Sequence, residues 1–165
     1  MSEAQWTVVF AAEAINDLLL ITEYLTHSYC AFGEPLAEAN RHAQVRIEAI
    51  ITAAERLATA PFRAESQDDL LPGLRHLALD RAVYWFRPCA EQREIQVLAV
   101  LFGGQDHQRR MLVRLLQNPP AAKPACCKTV TRSELVLFTS GSQQFTNGWM
   151  RSSSSASSAL ATSVS

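Results

Sequence analysis

The stretch from Leu74 to His107 constrains the fold of this chain more than any other stretch. It contains three short runs rich in leucine, valine, isoleucine and aromatic residues, joined by tight polar connections. The runs are Leu74 to Leu79, Ala82 to Arg87, and Glu94 to Phe102. Runs of this length and composition predict three consecutive antiparallel strands. The last two runs are apolar at nearly every position, which is typical of strands covered on both faces. Helices before and after the stretch must supply that cover.

The residues before this stretch predict one strand and two helices. Alternation from Trp6 to Phe10 indicates the strand. Apolar residues at steps of three and four then predict a helix from Ala11 to about Tyr29 and a second from about Pro35 to Ala60. The connection at Gly33 to Pro35 is short, so the two helices should pack as an antiparallel hairpin. The expected apolar stripes are Ala11, Ala14, Leu18, Ile21 and Leu25 on the first helix, and Ala43, Ile47, Ile50, Ala54 and Leu57 on the second.

The residues after the three runs predict one more helix and then a change of composition. Asp106 is a suitable N-cap, and Asn118-Pro119-Pro120 stops the helix. We therefore predict an α+β domain over residues 1–117. It has an N-terminal strand, a two-helix hairpin packed on an antiparallel sheet of about four strands, and a short C-terminal helix. Residues 118–165 are rich in proline, alanine and serine, and we expect a low-complexity, largely disordered tail.

Charge and hydropathy argue against several classes of function. Residues 1–117 contain eleven arginines and no lysine against fifteen acids, a net charge of −4, whereas residues 118–165 carry a net charge of +3. An acidic domain is a poor match for nucleic acid, so we expect no specific DNA binding by this domain alone. No apolar run approaches the roughly 18 residues that span a bilayer. The N-terminus also lacks the basic segment of a secretory signal. We therefore expect a cytoplasmic protein with no membrane partner.

The four cysteines give no sign of a metal centre. Cys30, Cys89, Cys126 and Cys127 form no C-x-x-C pair and no other metal-binding spacing. Isolated thiols in a cytosolic chain are usually packing residues. The sequence therefore predicts neither a metal site nor a cofactor.

Several short motifs resemble one known family. Gly73-Leu74-Arg75 opens the first run, the aromatic segment Val83 to Phe86 follows, and the segment Ile95 to His107 ends in a glycine-rich loop with an acid. Near the N-terminus, the segment Val8 to Leu18 reads VVFAAEAINDL. Together these segments resemble the RelE/ParE toxin superfamily, in particular its ParE-like branch, often labelled plasmid stabilisation proteins. The resemblance covers about residues 5–117 and none of the tail.

The resemblance implies the toxin of a type II toxin–antitoxin pair. Such a toxin is neutralised by a small cognate antitoxin, here expected to be of the ribbon-helix-helix type. ParE-like members poison DNA gyrase, whereas RelE-like members cut mRNA on the ribosome. We expect the antitoxin to lie over apolar surface beside the first two helices or along an open sheet edge, as in other cases of peptide capture.

The residues of this chain favour binding over RNA cleavage. Cleavage through the 2′-hydroxyl needs a base, an acid and a group that stabilises the phosphorane charge. RelE-like toxins meet this need with lysines, arginines and often a C-terminal tyrosine. Here residues 1–117 have no lysine, no tyrosine follows Tyr84, and Phe102 and Gly104 stand where the family commonly has a histidine and a basic residue. The main hypothesis is therefore a ParE-like toxin that binds a protein target. An mRNA endoribonuclease and a degenerate, non-toxic member that only binds antitoxin are the alternatives.

Three side chains remain as weak catalytic candidates. Arg75 and Arg87 could lie on one side of the sheet, where an arginine fork can hold a phosphate or a carboxylate. Arg75 could instead brace Asp106 or a backbone carbonyl at the end of the sheet. His107 follows Asp106, which invites a catalytic pairing, although a histidine at a helix start is more often a surface residue. Arg81 falls in a turn, where we expect it to be solvated. The segment Tyr84 to Phe86 could stack on bases but is better explained as core.

Overall fold

The structure is a computed structural model that describes residues 6–103, 106–117, 119, 130–131 and 135. The chain divides into two compact units, Met1–Arg132 and Ser133–Ser165. All the helices and strands considered below belong to the first unit. In chain order they are β1 (Thr7–Phe10), α1 (Ala12–Ala31), α2 (Leu36–Ala54), α3 (Arg56–Thr59), β2 (Glu65–Ser66), β3 (Arg75–Leu79), β4 (Ala82–Cys89), β5 (Glu94–Phe102), α4 (His107–Gln117) and β6 (Val130–Thr131).

The strands form one sheet, in which the described residues give the order β2-β3-β4-β5-β1-β6. The meander β3-β4-β5 is antiparallel, as predicted. On the far side of β5, β1 pairs with it in parallel, and β6 then pairs antiparallel with β1. The predicted α+β class is confirmed. The sheet has two strands more than the four predicted, namely β2 and β6. Each is two residues long and therefore too short to show an alternating pattern.

A bulge in β5 sets which side chains share a face of the sheet. Trp85 lies opposite Ala99, but the next residue, Phe86, lies opposite Val97, so that Leu98 has no counterpart on β4. An extra residue of this kind shifts the alternation of the strand that carries it. The two halves of β5 therefore present residues of opposite parity to the same layer of helices. Nearly all of its side chains are buried, because helices cover both faces of the sheet along this strand.

The helical hairpin covers one face of the sheet. Every residue of the two predicted stripes is buried, which confirms both patterns. Tyr84 joins the two layers, because its hydroxyl donates a hydrogen bond of 2.7 Å to the carbonyl of Ile50 on α2. Burial raises the pKa of the Tyr84 hydroxyl well above its ordinary value, so the hydroxyl stays a donor.

The second helix is shorter than the sequence suggests. The prediction of one helix as far as Ala60 is wrong, since α2 ends at Ala54 and α3 follows after Glu55. The Glu55 amide donates to Thr52, three residues back, which is the tighter spacing typical of helix ends. The apolar spacing survives this break, because Leu57 on α3 is still buried against the core.

The other face of the sheet is covered in part by α4. Trp85 and Leu74 are fully buried there in one apolar cluster with Met111 of α4. Asp106 caps the helix as predicted, since its carboxylate accepts a hydrogen bond of 3.1 Å from the amide of Arg109. In the part of the chain that the structure describes, no helix is long and apolar enough to cross a bilayer.

The predicted tail falls almost wholly outside the described residues. Of residues 118–165, the structure describes Pro119, the two residues of β6 and Leu135. Because β6 pairs with β1, the sheet takes in residues beyond Gln117. The domain boundary after Gln117 and the disorder of the tail stay predictions.

Candidate functional site

Among the described residues, no strand lies beside the second half of β5 on the side where β1 pairs with its first half. β1 pairs with β5 from Glu94 to Val97, and β5 then continues to Phe102. The Val100 amide faces this open side and donates a hydrogen bond of 3.0 Å to the Asp17 carboxylate of α1. Backbone groups alternate in direction along a strand, so the amide and carbonyl of Phe102 also face the open side. Within the described part of the chain, this short length of strand edge has no backbone partner, and an edge of this kind can pair with another chain.

A buried ion pair fixes the helices on either side of this edge. Asp17 is 5% exposed, and Arg114 of α4 donates two hydrogen bonds of 2.6 Å, one to each oxygen of its carboxylate. These hydrogen bonds raise the pKa of the Arg114 guanidinium above its ordinary value, so the guanidinium keeps its charge. The pair ties α1, β5 and α4 together. The sequence analysis missed it, although an acid three residues after Ala14, within the apolar stripe of α1, was a usable signal.

A cavity of about 400 Å³ lies between α1 and the open part of β5. We name it the α1–β5 groove, and its lining is Asp17, Leu20, Ile21, Tyr24, Val100, Leu101, Phe102, Gly103 and Arg110. Leu20 and Tyr24 are exposed by 55% and 63%, so they leave apolar surface beside the strand edge. The lining contains no pair of groups suited to acid–base catalysis. Apolar side chains beside strand backbone are the features on which a polypeptide can pair by strand addition.

The predicted candidate Arg75 is held by the backbone. Its guanidinium donates hydrogen bonds of 2.9 Å and 2.7 Å to the carbonyls of Phe62 and Ala64, and it lies over the Phe62 ring. These contacts are the carbonyl bracing that the sequence analysis kept as an alternative. Arg75 lies opposite Phe86, so Arg87, one residue further along β4, falls on the other face of the sheet. The expectation that Arg75 and Arg87 share a face is wrong.

His107, the third candidate, meets a histidine that the sequence analysis did not single out. His76 on β3 stacks on Trp85 with ring centroids 4.8 Å apart, and His107 lies 5.2 Å from His76 and 5.8 Å from Trp85. Nδ1 of both histidines and Nε1 of Trp85 are buried without a hydrogen-bond partner among the described residues. We name these three residues the His–Trp cluster. The strand pairing of β3 with β4 was the signal for it, because His76 lies directly opposite Trp85.

The His–Trp cluster gives a testable pH dependence. Burial lowers the pKa of His76; the Glu65 carboxylate, 3.5 Å from Nε2, opposes this effect, and His107 adds to it. Because the unfolded chain binds the proton at a higher pH than the folded chain, acid favours unfolding. Neutral His76 contributes fully to the free energy of unfolding above the pKa that it has in the unfolded chain. This contribution is lost as the pH falls through the lower pKa that it has in the folded chain. We expect the free energy of unfolding to fall between pH 7 and pH 5, by at most about 1.4 kcal/mol per pH unit from this group.

Urea titrations at several pH values test this. His76→Phe keeps an aromatic ring on Trp85 and removes the titrating group, so its loss of stability in acid should be smaller. His27→Gln removes a histidine from an exposed position on α1 and is the matched control. Equal acid sensitivity of the wild-type protein and His76→Phe would show that His76 does not contribute.

Metal-binding chemistry has no candidate site in the described residues. No group of three or more histidine, cysteine or acidic side chains lies close enough there to hold a metal ion. Cys30 and Cys89 are free and partly buried. Cys126 and Cys127 lie outside the described residues.

Comparison with known proteins reveals similarity to solved structures. No family model and no curated protein matches the chain. Among solved structures, the chain is similar to one from the chromosomal ParDE TA system of P. aeruginosa, with 19% sequence identity and a TM-score of 0.45. The match covers 59% of this chain and 96% of that chain.

Proposed function

We propose that this chain is the toxin of a type II toxin–antitoxin pair, and that it acts by binding a protein target. The observation that carries the proposal is the α1–β5 groove, which combines exposed Leu20 and Tyr24 with strand backbone that has no partner among the described residues. Such a surface suits capture of a protein segment and offers no reaction chemistry. The order of the sequence motifs that resemble the ParE-like branch supports the toxin assignment.

The groove suggests how a partner is held. A segment lying along β5 would accept a hydrogen bond from the Phe102 amide and donate one to its carbonyl. Its apolar side chains would pack on Leu20 and Tyr24, which removes those side chains from water. The Asp17–Arg114 ion pair keeps α1 and α4 in place, so little ordering of the groove is needed on binding.

The partners follow from the resemblance. The antitoxin is a small protein of the ribbon-helix-helix type whose C-terminal segment occupies the α1–β5 groove. The target is DNA gyrase, reached in the cytoplasm when the antitoxin is degraded. The target and the type of antitoxin rest on the motifs alone.

One observation favours the alternative, a ribosome-dependent mRNA endoribonuclease. His76 and His107 are two imidazoles 5.2 Å apart, a spacing at which one could act as base and the other as acid. Against this, the His76 side chain is 11% exposed, and both Nδ1 atoms are buried. Arg75, the expected phosphate ligand, is committed to two carbonyls.

Induction of the chain in bacteria tests the proposal. Alone it should arrest growth, and co-expression of the small reading frame beside its gene should restore growth. The purified chain should block supercoiling by gyrase and leave mRNA intact in a purified translation reaction. Cleaved mRNA, abolished in His76→Phe, would favour the endoribonuclease instead. If induction leaves growth unaffected, the result would favour the third hypothesis, a non-toxic member that only binds antitoxin.

A pair of variants tests the site itself. Leu20→Lys places a charge in the α1–β5 groove and should weaken antitoxin binding by at least about tenfold, or about 1.4 kcal/mol. Leu36→Lys makes the same change at an exposed position outside the groove and is the control. Titration calorimetry measures both affinities. Equal affinities would place the antitoxin elsewhere.

A further inference from the structure

A cavity of about 610 Å³ is lined by residues of α1, α2, the β3–β4 turn and the end of β5. Its volume lies within the range of about 300–1,000 Å³ that is usual for small-molecule sites. We name it the arginine–aromatic cavity, and its lining is Tyr24, Leu25, Ser28, Tyr29, Phe32, Arg46, Arg81 and Phe102. Half of these residues are aromatic, in a chain with 8% aromatic residues, so the cavity offers rings on which a flat ligand can stack.

The rings of the cavity are open to solvent. Phe32, the residue that follows α1, is 88% exposed, more than any other large apolar side chain in the part of the chain that the structure describes. Tyr24 is 63% exposed. A ligand ring that stacks on them would remove apolar surface from water.

Two guanidinium groups meet at the β3–β4 turn. Arg46 of α2 donates one long hydrogen bond of 3.3 Å to the carbonyl of Asp80, the residue before Arg81, and keeps most of its donors. The exposed Arg81 side chain makes no hydrogen bond or ion pair with another described residue. An arginine fork matches the oxygens of a phosphate group, so the two side chains suit a phosphate ligand.

No acid neutralises these arginines among the residues that line the cavity. Asp80 is their neighbour in the turn, but its carboxylate lies 3.8 Å from the Arg56 guanidinium and lines a different cavity. The positive charge of Arg46 and Arg81 is therefore available to an anion.

The turn holds Arg81 in a conformation that disfavours arginine. Leu79 pairs with Ala82, and the two residues between them, Asp80 and Arg81, have φ angles of 49° and 73°. Two positive φ angles define the type I′ hairpin, in which the second position strongly prefers glycine. A side chain in this left-handed region costs free energy that glycine does not pay, and such positions cluster at functional sites. The chain thus retains an arginine beside the cavity at a cost in stability.

We infer that the arginine–aromatic cavity binds a free nucleoside monophosphate, with the phosphate on Arg46 and Arg81 and the base stacked on Phe32. A flat ring joined to a phosphate combines the two chemistries that the lining offers. A free nucleotide fits better than a nucleic-acid chain, because residues 1–117 have a net charge of −4 and repel further phosphates. The inference does not depend on the toxin assignment.

Titration calorimetry of the full chain with four probes tests the inference. The probes are adenosine monophosphate (AMP), adenosine, inorganic phosphate and a tetranucleotide with a 5′-phosphate. AMP should bind at least about tenfold more tightly than adenosine or phosphate, since each of these makes only one half of the contacts. The tetranucleotide should bind no more tightly than AMP.

Variants locate the site. Arg46→Gln and Phe32→Ala should each lower the affinity for AMP at least about fivefold. Phe32 lines this cavity and not the α1–β5 groove, so the change leaves the groove intact. Arg41→Gln removes an exposed guanidinium from the same helix outside the cavity and should leave the affinity unchanged.

Two changes at Arg81 separate its charge from its backbone conformation. Arg81→Gln removes the charge and keeps a side chain in the left-handed region, so it should lower the affinity for AMP at an unchanged urea midpoint. Arg81→Gly should lower the affinity as much and raise the urea midpoint. A more stable Arg81→Gly chain that binds AMP as tightly as the wild-type protein would overturn the role of Arg81.

Other results would overturn the inference as a whole. The absence of saturable AMP binding, or equal affinities for AMP and adenosine, would exclude a nucleotide site. Tighter binding of the tetranucleotide would make the end of a nucleic-acid chain the occupant. Unchanged AMP affinity in both Arg46→Gln and Phe32→Ala would place the nucleotide elsewhere on the chain.

Discussion

Arg114→Ala should lower the free energy of unfolding by about 3 kcal/mol. The substitution leaves the Asp17 carboxylate buried with the single hydrogen bond from the Val100 amide. An unpaired buried charge is far more costly than the pair is stabilising, because the carboxylate has already lost its water. Arg114 itself is partly exposed, which places the effect at the lower end of the range for buried pairs. Urea unfolding followed by circular dichroism at pH 7 measures it.

Two further variants show whether the charge or the packing is responsible. Arg109→Ala removes an exposed arginine from the same helix and should change the free energy of unfolding by less than about 0.5 kcal/mol. The double variant Asp17→Asn/Arg114→Leu keeps an oxygen to accept from Val100 and removes both charges. It should be more stable than Arg114→Ala alone. If Arg114→Ala is no worse than Arg109→Ala, the ion pair does not hold α4 to the sheet.

The fold was largely predictable where side chains repeat over many residues. The stripes of α1 and α2 and the three strands from Arg75 to Phe102 each contain enough apolar positions to reveal their period. The break at Glu55 was not predictable, since the apolar spacing runs through it. The parallel pairing of β1 with β5 could not be predicted from the sequence either, because it joins segments more than eighty residues apart and depends on how the hairpin packs.

The site was less predictable than the fold for a definite reason. The α1–β5 groove exists because β1 ends opposite Val97 while β5 continues to Phe102, and this difference follows from the register. Without the register, Leu20 and Tyr24 are simply apolar residues off the main stripe of α1. The motif-based candidates Arg75, Arg87 and His107 do not line the groove, and their functional roles stay predictions.

The groove and the His–Trp cluster belong to different parts of the domain, and this separation makes the two functional hypotheses distinguishable. Variants at Leu20 act on the open edge of β5, whereas variants at His76 act on the face beneath α4. A ParE-like binder should respond to the first and tolerate the second. An endoribonuclease should show the reverse, provided that the variants fold.

Trp85→Ala should lower the free energy of unfolding by about 3–5 kcal/mol. Trp85 is fully buried in the cluster with Leu74 and Met111, and neighbouring Tyr84 and Phe86 are fully buried as well. Removing the indole leaves a cavity that the strands on either side of β4 cannot close, because they are held by backbone hydrogen bonds. Guanidinium chloride unfolding measures the loss.

Trp85→Phe separates a core role from a base-stacking role for the same side chain. A phenyl ring still fills much of the space and still stacks on His76, whose ring centroid lies 4.8 Å from that of the indole. We expect it to recover at least half of the stability lost in Trp85→Ala. A side chain that stacks on bases must be exposed. The base-stacking role therefore predicts that Trp85→Ala loses RNA binding, measured by filter retention, while its free energy of unfolding is unchanged. Because no part of the Trp85 side chain is accessible in the folded domain, we expect Trp85→Ala to lose stability. Unchanged stability of Trp85→Ala would contradict the core role.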